Sequence, residues 1–267
     1  MKIEYLKFNT EQNNIEAFST KRGEIKGSDT YSGFNVCDYT GDTTSHIEDC
    51  KSGLCDLFGI GAGNLIMPRQ THSNNVLIID SDFINAGKET RSLLLEDKDA
   101  LISSLDNVII GINTADCVPI LFYDPCSGII AAAHAGWKGT VNKIADKTLS
   151  AILSLGGDIE SIRVIIGPSI CRDCFEVGDE LAEIFYNEGF PMGYISHKNP
   201  HTNKWHIDLW KANEWLLVKG GIFPNNINIS AACTKCNPAE YFSARTCSIN
   251  SGRIFTGILR RKKPNLE

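Results

Sequence analysis

Three apolar runs crowd the middle of the chain and restrict its fold more than any other feature. Residues 108–114, 118–124 and 128–134 are short and rich in Val, Ile, Ala and aromatic side chains. Runs of this length bounded by turn residues form strands. Asp124-Pro125-Cys126-Ser127-Gly128 separates the last two and has the residues of a hairpin turn. A fourth β-rich run lies at 76–80.

Helical spacing begins only after Gly139, where Val141, Ile144, Ala145, Leu149, Ile152 and Leu153 fall near one face. Gly156-Gly157 closes that helix. A strand is expected at 163–166, stopped by Gly167-Pro168, and a helix over 178–187. Asp208 is placed to cap a helix through Leu209, Trp215, Leu216 and Val218, which Gly220-Gly221 ends. Late strands are expected at 227–232 and 254–258. Residues 20–56, rich in Gly, Ser, Asp and Thr, read as one long irregular connection, the kind that is functional or mobile. Gly59-Ile60-Gly61-Ala62-Gly63 matches a dinucleotide fingerprint only in glycine count and reads as a loop. Strands and helices alternate loosely, with hairpins among them, so a mixed α/β sheet system is expected. With no repeat and no linker in view, it should be a single domain over 1–267.

Composition removes several classes of function. The 267 residues carry 26 Lys and Arg against 32 Asp and Glu, a net charge of −6. Nucleic-acid binding without sequence preference needs a basic surface, so no nucleic-acid partner is expected. The first residues are polar from Asn9 to Asn14, and no apolar signal segment is expected. The longest mostly apolar stretch, 129–137, is too short to span a bilayer. A cytoplasmic address with reduced thiols and no membrane partner follows as the expectation. The ten Cys then read as core residues, metal ligands or nucleophiles.

There are six His. His197, His201 and His206 sit among Asn, Lys and Pro and read as surface loop, as does His46. His72, in Gln70-Thr71-His72, stands just before the run at Val76. His134 ends an apolar run, with Ala133, Ala135 and Gly136 leaving space beside it. Cys117 stands between two strands in Thr114-Ala115-Asp116-Cys117-Val118-Pro119. Two imidazoles and a thiolate at strand ends suit zinc with a fourth position open. They equally suit a Cys nucleophile activated by His. Buried histidines and an inert core thiol are the third reading. The gaps of 45 and 17 residues match no local metal motif and do not decide between them.

The wording of the segments narrows the choice. Gln70-Thr71-His72, Thr114-Ala115-Asp116-Cys117-Val118-Pro119-Ile120-Leu121 and Ala133-His134-Ala135-Gly136-Trp137-Lys138-Gly139 closely resemble signature blocks of the YfiH/laccase-domain family, also called polyphenol oxidases or purine nucleoside phosphorylases. Gly167-Pro168-Ser169-Ile170, Cys174-Phe175-Glu176-Val177-Gly178, Cys233-Thr234, Phe242-Ser243-Ala244-Arg245 and Gly252-Arg253 follow in the family's order. Gly33-Phe34-Asn35-Val36 with Gly41-Asp42 resembles a weakened N-terminal block. Nearly the whole chain is covered.

The resemblance implies an α/β fold in which mixed β-sheets form a central sandwich-like core flanked by helices. It implies that His72, Cys117 and His134 are both metal ligands and catalytic residues, holding Zn2+, with Cu2+ as an alternative ion. It implies phosphorolysis of adenosine, inosine and methylthioadenosine, and deamination of adenosine. Purine nucleosides and phosphate would be the small-molecule partners, and a monomer or weak homo-oligomer is expected. Asn35, Gln70, Lys138, Glu176 and Arg245 are the substrate-binding candidates. Lys138 and Arg245 would suit phosphate, with Arg253 a further cation for that role, and Glu176 would move a proton or pair with one of these cations. The chain departs from the family at Thr20-Lys21-Arg22-Gly23-Glu24, where Lys21 replaces an arginine and loses its two-pronged grip on an anion.

Two further features compete for attention. Cys171/Cys174 and Cys233/Cys236 are C-x-x-C pairs that could close a structural zinc site. A gap of 59 residues, far beyond a ribbon spacing, favours reading them as small buried or half-buried residues. Asp116 precedes Cys117 and reads either as a turn carboxylate or as an acceptor behind a metal-bound histidine. Against the nucleoside enzyme stand a copper-dependent polyphenol oxidase, a Cys-His hydrolase or protein-modifying domain, and a non-enzymatic module with a closed structural metal. The set His2Cys with a weak axial Met is a copper ligand pattern, and Met67 is near His72 in sequence. No His-x-His pair occurs, so a cluster of several coppers would run short of imidazoles.

Overall fold

A computed structural model of the protein describes residues 2–27 and 29–262. Two strands come first, β1 (Tyr5–Phe8) and β2 (Ile15–Thr20), followed by α1 (Thr44–Phe58). Next are β3 (Leu65–Ile66), β4 (Val76–Ile79), α2 (Ser81–Asn85), α3 (Lys88–Leu95) and β5 (Ala100–Ser103). The apolar centre supplies β6 (Ile109–Thr114), β7 (Val118–Tyr123) and β8 (Ile130–Ala135). Then follow α4 (Trp137–Val141), α5 (Ile144–Ser154), β9 (Arg163–Ile166), β10 (Glu176–Val177) and α6 (Asp179–Asn187). The order closes with α7 (Met192–Ile195), β11 (Ser196–Lys198), β12 (Trp205–Ile207), α8 (Leu209–Lys219), β13 (Ile227–Ile229), α9 (Ala244–Cys247) and β14 (Ile254–Arg260).

The strands form a five-stranded sheet, β1-β2-β14-β6-β3, a six-stranded sheet, β13-β9-β7-β8-β5-β4, and a three-stranded sheet, β10-β12-β11. The two large sheets pack face to face. Ala17, Ile110, Ile112 and Ile258 of the first share one apolar cluster with Leu101, Leu121, Tyr123, Ile130 and Ile165 of the second. Side chains alternate across a strand, so Ile120 and Phe122 of β7 face the other way. There they meet Ile144, Leu149 and Leu216 of α5 and α8. Ala131, Ala133 and Ala135 of β8 lie in that same layer and let the helix approach closely. The outer face of the five-stranded sheet is covered by α1, with Phe18, Ile109, Phe255 and Leu259 against Cys50, Leu54 and Phe58. Both faces of both large sheets are thus covered, so β6, β7 and β8 read as unbroken apolar runs. The architecture is the mixed α/β sandwich flanked by helices.

Several elements depart from expectation. The supposed irregular connection over 20–56 contains most of α1, capped by the Thr43 side chain and closed by left-handed Gly59. Its buried stripe of Ile47, Cys50, Leu54, Cys55 and Phe58 was hidden among polar neighbours. The helix expected after Gly139 is two, because Lys143 takes a left-handed conformation with φ 61° between α4 and α5. The late strand expected to reach residue 232 ends at Ile229. Among the described residues no helix is long and apolar enough to cross a membrane.

Candidate metal centre

Neighbouring strand ends of the six-stranded sheet gather the chemistry. β8 runs antiparallel to both β5 and β7, pairing Ala133 with Ala100 and Ala135 with Val118. β4 is parallel to β5, with Val76 opposite Ala100. The end of β8 therefore lies beside the starts of β4, β5 and β7. That arrangement brings together His134 at the end of β8, Cys117 just before β7 and His72 shortly before β4. Their ligand atoms all lie within 4.8 Å of one another. Cys117 Sγ is 3.8 Å from His72 Nε2, and the two imidazole centroids are 4.8 Å apart at 67°.

Behind the trio stands Asp99, just before β5 and fully buried. Its Oδ1 accepts from His134 Nδ1 at 2.7 Å and from the His72 backbone N–H at 3.2 Å. Its Oδ2 accepts from the backbone N–H groups of Thr71 (3.2 Å) and Ser73 (2.7 Å) and from Ser73 Oγ (2.8 Å). Three successive backbone donors can converge on one carboxylate because His72 is left-handed, with φ 64°. Asp99 thus fixes the loop that carries one ligand and the ring orientation of another. With Nδ1 donating to Asp99, the Nε2 atom of His134 is left for a metal.

The electrostatics favour a thiolate. Burial pushes the Cys117 thiol up, but the charge and hydrogen bond of His134, with His72 adding to both, bring it down to about 6. Burial opposes a charged His134, and the Cys117 charge and Asp99 hydrogen bond outweigh it, raising the imidazole to about 9. The two shifts both favour the thiolate–imidazolium form of the pair. Such a pair can attack as a nucleophile or, on losing the imidazolium proton, ligate a cation.

The donor set fits a tetrahedral ion. Zinc bonds of about 2.0–2.3 Å to N and S put neighbouring ligand atoms roughly 3.5 Å apart, slightly closer than seen here. Gly136 preserves the space. A Cβ there would lie 2.8 Å from Cys117 Sγ and 3.0 Å from His72 Cδ2. Its φ of −61° suits any residue, so the requirement is room and not backbone freedom. Gly136→Ala is expected to keep its fold and weaken metal affinity at least about tenfold, as displaced ligands do. Competition against a chelator of known affinity checks this, and an unchanged affinity would mean the cradle yields freely.

The remaining candidates divide. Lys138 is exposed on α4, four residues after His134, with Nζ 5.6 Å from the Trp137 ring centroid. Arg245 is exposed on α9; its backbone N–H donates to Asp116 Oδ2 at 2.8 Å, and its guanidinium donates to Glu176 O at 3.3 Å. Glu176 pairs with Lys204 (3.2 Å) and faces His206 Nε2 (3.6 Å), so its side-chain partners are neither Arg245 nor Lys138. The Lys204 hydrogen bond, ahead of other contacts, lowers its carboxyl below the ordinary range. Gln70 grips the backbone of Asn113 from both ends of its amide, at 2.9 and 2.8 Å, and accepts from Tyr39 Oη at 3.1 Å. Asn35 is fully buried, donating to Asp42 Oδ2 at 2.8 Å and accepting from the N–H groups of Cys37 and Arg253. Arg253 itself is committed to the carbonyls of Ile249, Ser251 and Gly252. A broad groove of about 1220 Å3 between α1 and α3 reaches Asn113 and includes none of the trio.

Some readings need correction. Asp116 does not orient a histidine; that role falls to Asp99, which no motif marked. Asp116 sits in a strained turn with φ 84° and accepts from Thr234 Oγ1 (2.6 Å) and the Arg245 N–H. His206 is buried in β12 and stacks on half-buried His197 with centroids 5.0 Å apart, because β11 and β12 pair directly; of the three histidines there, His201 remains exposed. His46 lies half-buried on α1, with Nδ1 2.8 Å from Asp42 Oδ2. Met67 Sδ is 3.7 Å from Asn113 Nδ2, a contact away from the trio's donors. The two C-x-x-C pairs are not scattered residues but converge, with all four Sγ atoms within 4.8 Å.

The chain is similar to known proteins in sequence and in fold. A family model described as multi-copper polyphenol oxidoreductase laccase matches residues 16–261. The chain is 44% identical over 261 residues, 98% of its length and 100% of the relative's, to a protein named adenosine deaminase RL5 from an unknown prokaryotic organism. It is 38% identical over 250 residues, 93% of each chain, to a purine nucleoside phosphorylase of Bacteroides thetaiotaomicron. The crystal structure of the Bacillus licheniformis hypothetical protein YfiH superposes with a TM-score of 0.87 at 25% identity over 97% of both chains.

Proposed function

The chain belongs to the multi-copper polyphenol oxidoreductase laccase family, and from that premise we propose that it is a zinc enzyme of purine nucleosides, with His72, Cys117 and His134 holding the ion. The carrying observation is the convergence of three donors at the ends of neighbouring strands, with Asp99 fixing two of them from behind. Two imidazoles and one thiolate leave a coordination position for substrate or water, as catalytic zinc sites do. The relatives named adenosine deaminase and purine nucleoside phosphorylase support the substrate class.

Bound there, zinc supplies Lewis acidity and lowers the pKa of nearby water. The chain's own groups divide the rest. Asp99 keeps the His134 proton on Nδ1 and holds the 71–73 loop. Lys138 and Arg245 receive the phosphate, each exposed and each anchored near a ligand, by α4 after His134 and by Asp116 before Cys117. Gln70 and Asn35 have structural parts, since their amides are spent on the Asn113 backbone and on Asp42. In phosphorolysis a phosphate oxygen bonds to C1′ and the C1′–N9 bond breaks, its electron pair leaving with the purine, which then takes a proton. In deamination water adds at C6 and ammonia departs. Adenosine, inosine and methylthioadenosine are the proposed nucleosides.

Zinc-loaded protein incubated with inosine should release hypoxanthine and ribose 1-phosphate only when phosphate is present. With adenosine it should release inosine without phosphate. Neither product forming would overturn the reading, and turnover of phenols with copper alone would replace it. Lys138→Ala separates the two reactions. It is expected to slow phosphorolysis of inosine about tenfold or more while changing deamination little, because only the first uses the anion. Equal losses would place Lys138 with the nucleoside or the fold.

A further inference from the structure

The cysteines at 171, 174, 233 and 236 have no part in the chemistry described so far. The loop after β9 and the loop after β13 run side by side, joined where Ser169 bridges Cys233 in parallel register. That pairing removes the obstacle of the 59-residue spacing between Cys174 and Cys233. It brings all four Sγ atoms within 4.8 Å of one another, with Cys174 and Cys236 at 3.4 Å. Thiols packed as small apolar side chains would be spread through a core. These converge on one another at the surface, with Cys233 buried, Cys171 and Cys174 half-buried, and Cys236 exposed.

A second, independent feature points to an ion. Cys233 Sγ accepts backbone N–H groups from Cys171 at 3.3 Å and from Cys236 at 3.4 Å. Backbone donors aimed at sulfur stabilise a thiolate. The bond from Cys236 back to Cys233 also winds the C-x-x-C into a turn with both sulfurs on one side. Tetrahedral zinc bonds to sulfur of about 2.3 Å place sulfur atoms roughly 3.8 Å apart, inside the range seen.

We propose that Cys171, Cys174, Cys233 and Cys236 form a closed tetrathiolate site for a zinc ion, separate from the His2Cys centre. Four protein ligands leave no position for substrate, so the site is structural. On binding, each thiol still protonated gives its proton to solvent. The loops it ties are those that hold Asp116. Ile170 N–H donates to Asp116 O at 3.0 Å, and Thr234 Oγ1 donates to Asp116 Oδ1 at 2.6 Å. The clip thereby supports the turn that presents Cys117.

Elemental analysis of the full chain, purified reduced and freed of loose metal, tests the assignment. Wild type should carry two zinc ions per chain. His72→Ala should carry one, and so should the double variant Cys174→Ser/Cys236→Ser. Cobalt loaded into His72→Ala should show an intense thiolate charge-transfer band with the visible absorption of a tetrahedral ion. Two zinc ions in the double variant, none in His72→Ala, or cobalt without the thiolate band would each overturn the proposal. So would a Cys174–Cys236 disulfide in thiol-blocked peptides from protein kept with zinc. If the double variant fails to fold, the zinc count and cobalt spectrum of His72→Ala decide alone.

Discussion

Cys117→Ser is expected to fold, to lose the metal of the His2Cys centre and to lose turnover of both adenosine and inosine. The substitution is nearly isosteric, so packing is little disturbed. The charge changes much more. The thiol is held at about 6 by its histidine neighbours, against the push of burial. A serine hydroxyl does not ionise there, and an oxygen donor is a poorer partner for a soft site. Loss of a group that merely orients a ligand costs about 10–100-fold in metal affinity or activity. Loss of a ligand itself should cost at least about 100-fold on that scale. Metal content, circular dichroism and product analysis on one preparation check all three. Unchanged hypoxanthine release would remove the metal centre from the mechanism, and a zinc content equal to wild type would remove Cys117 from the ligands.

The second large effect belongs to a residue that binds neither metal nor substrate. Asp99→Ala should leave the His134 ring and the 71–73 backbone without their acceptor. The carboxylate takes three backbone N–H groups, one hydroxyl and one imidazole. Each buried donor left unpaired costs about 1–3 kcal/mol, so a loss of roughly 3 kcal/mol or more is expected in a denaturant midpoint. Asp99→Asn keeps the volume but has one oxygen where two work. It should fold with a smaller loss and bind zinc about 10–100-fold more weakly. Wild-type affinity in Asp99→Asn would show that the ligands hold their places unaided.

Local signals suffice for the centre of the sheet. Residues in β7 and β8 are apolar on both faces, so their strands read directly from composition. Scarce His and positions at strand ends single out His72, Cys117 and His134, but their spacing leaves the chemistry open, and only the resemblance of the surrounding segments to a known family names them as candidate ligands. Asp99 could not be found this way. It lies in the acidic stretch Glu96-Asp97-Lys98-Asp99, and its role depends on the pairing of β5 with β8. Sequence distance argues against joining the cysteine pairs, yet it says nothing about loops joined by a bridge such as Ser169 with Cys233. α1 was missed because five buried residues alternate with charged ones in a stretch of turn-forming composition.

β14 carries a consequence for synthesis of the chain. Ile254–Arg260 lies between β2 and β6 in the five-stranded sheet, pairing with both. Until a ribosome has released those residues, β2 and β6 have no hydrogen-bonding partner at their facing edges, and the apolar surfaces of Phe18 and Ile109 wait uncovered by Phe255 and Leu259. The central sheet therefore closes only after translation has passed its last strand, since pairings this distant in sequence form late. A polypeptide stalled or cut short before Ile254 would expose two bare strand edges, which are templates for aggregation and marks for degradation.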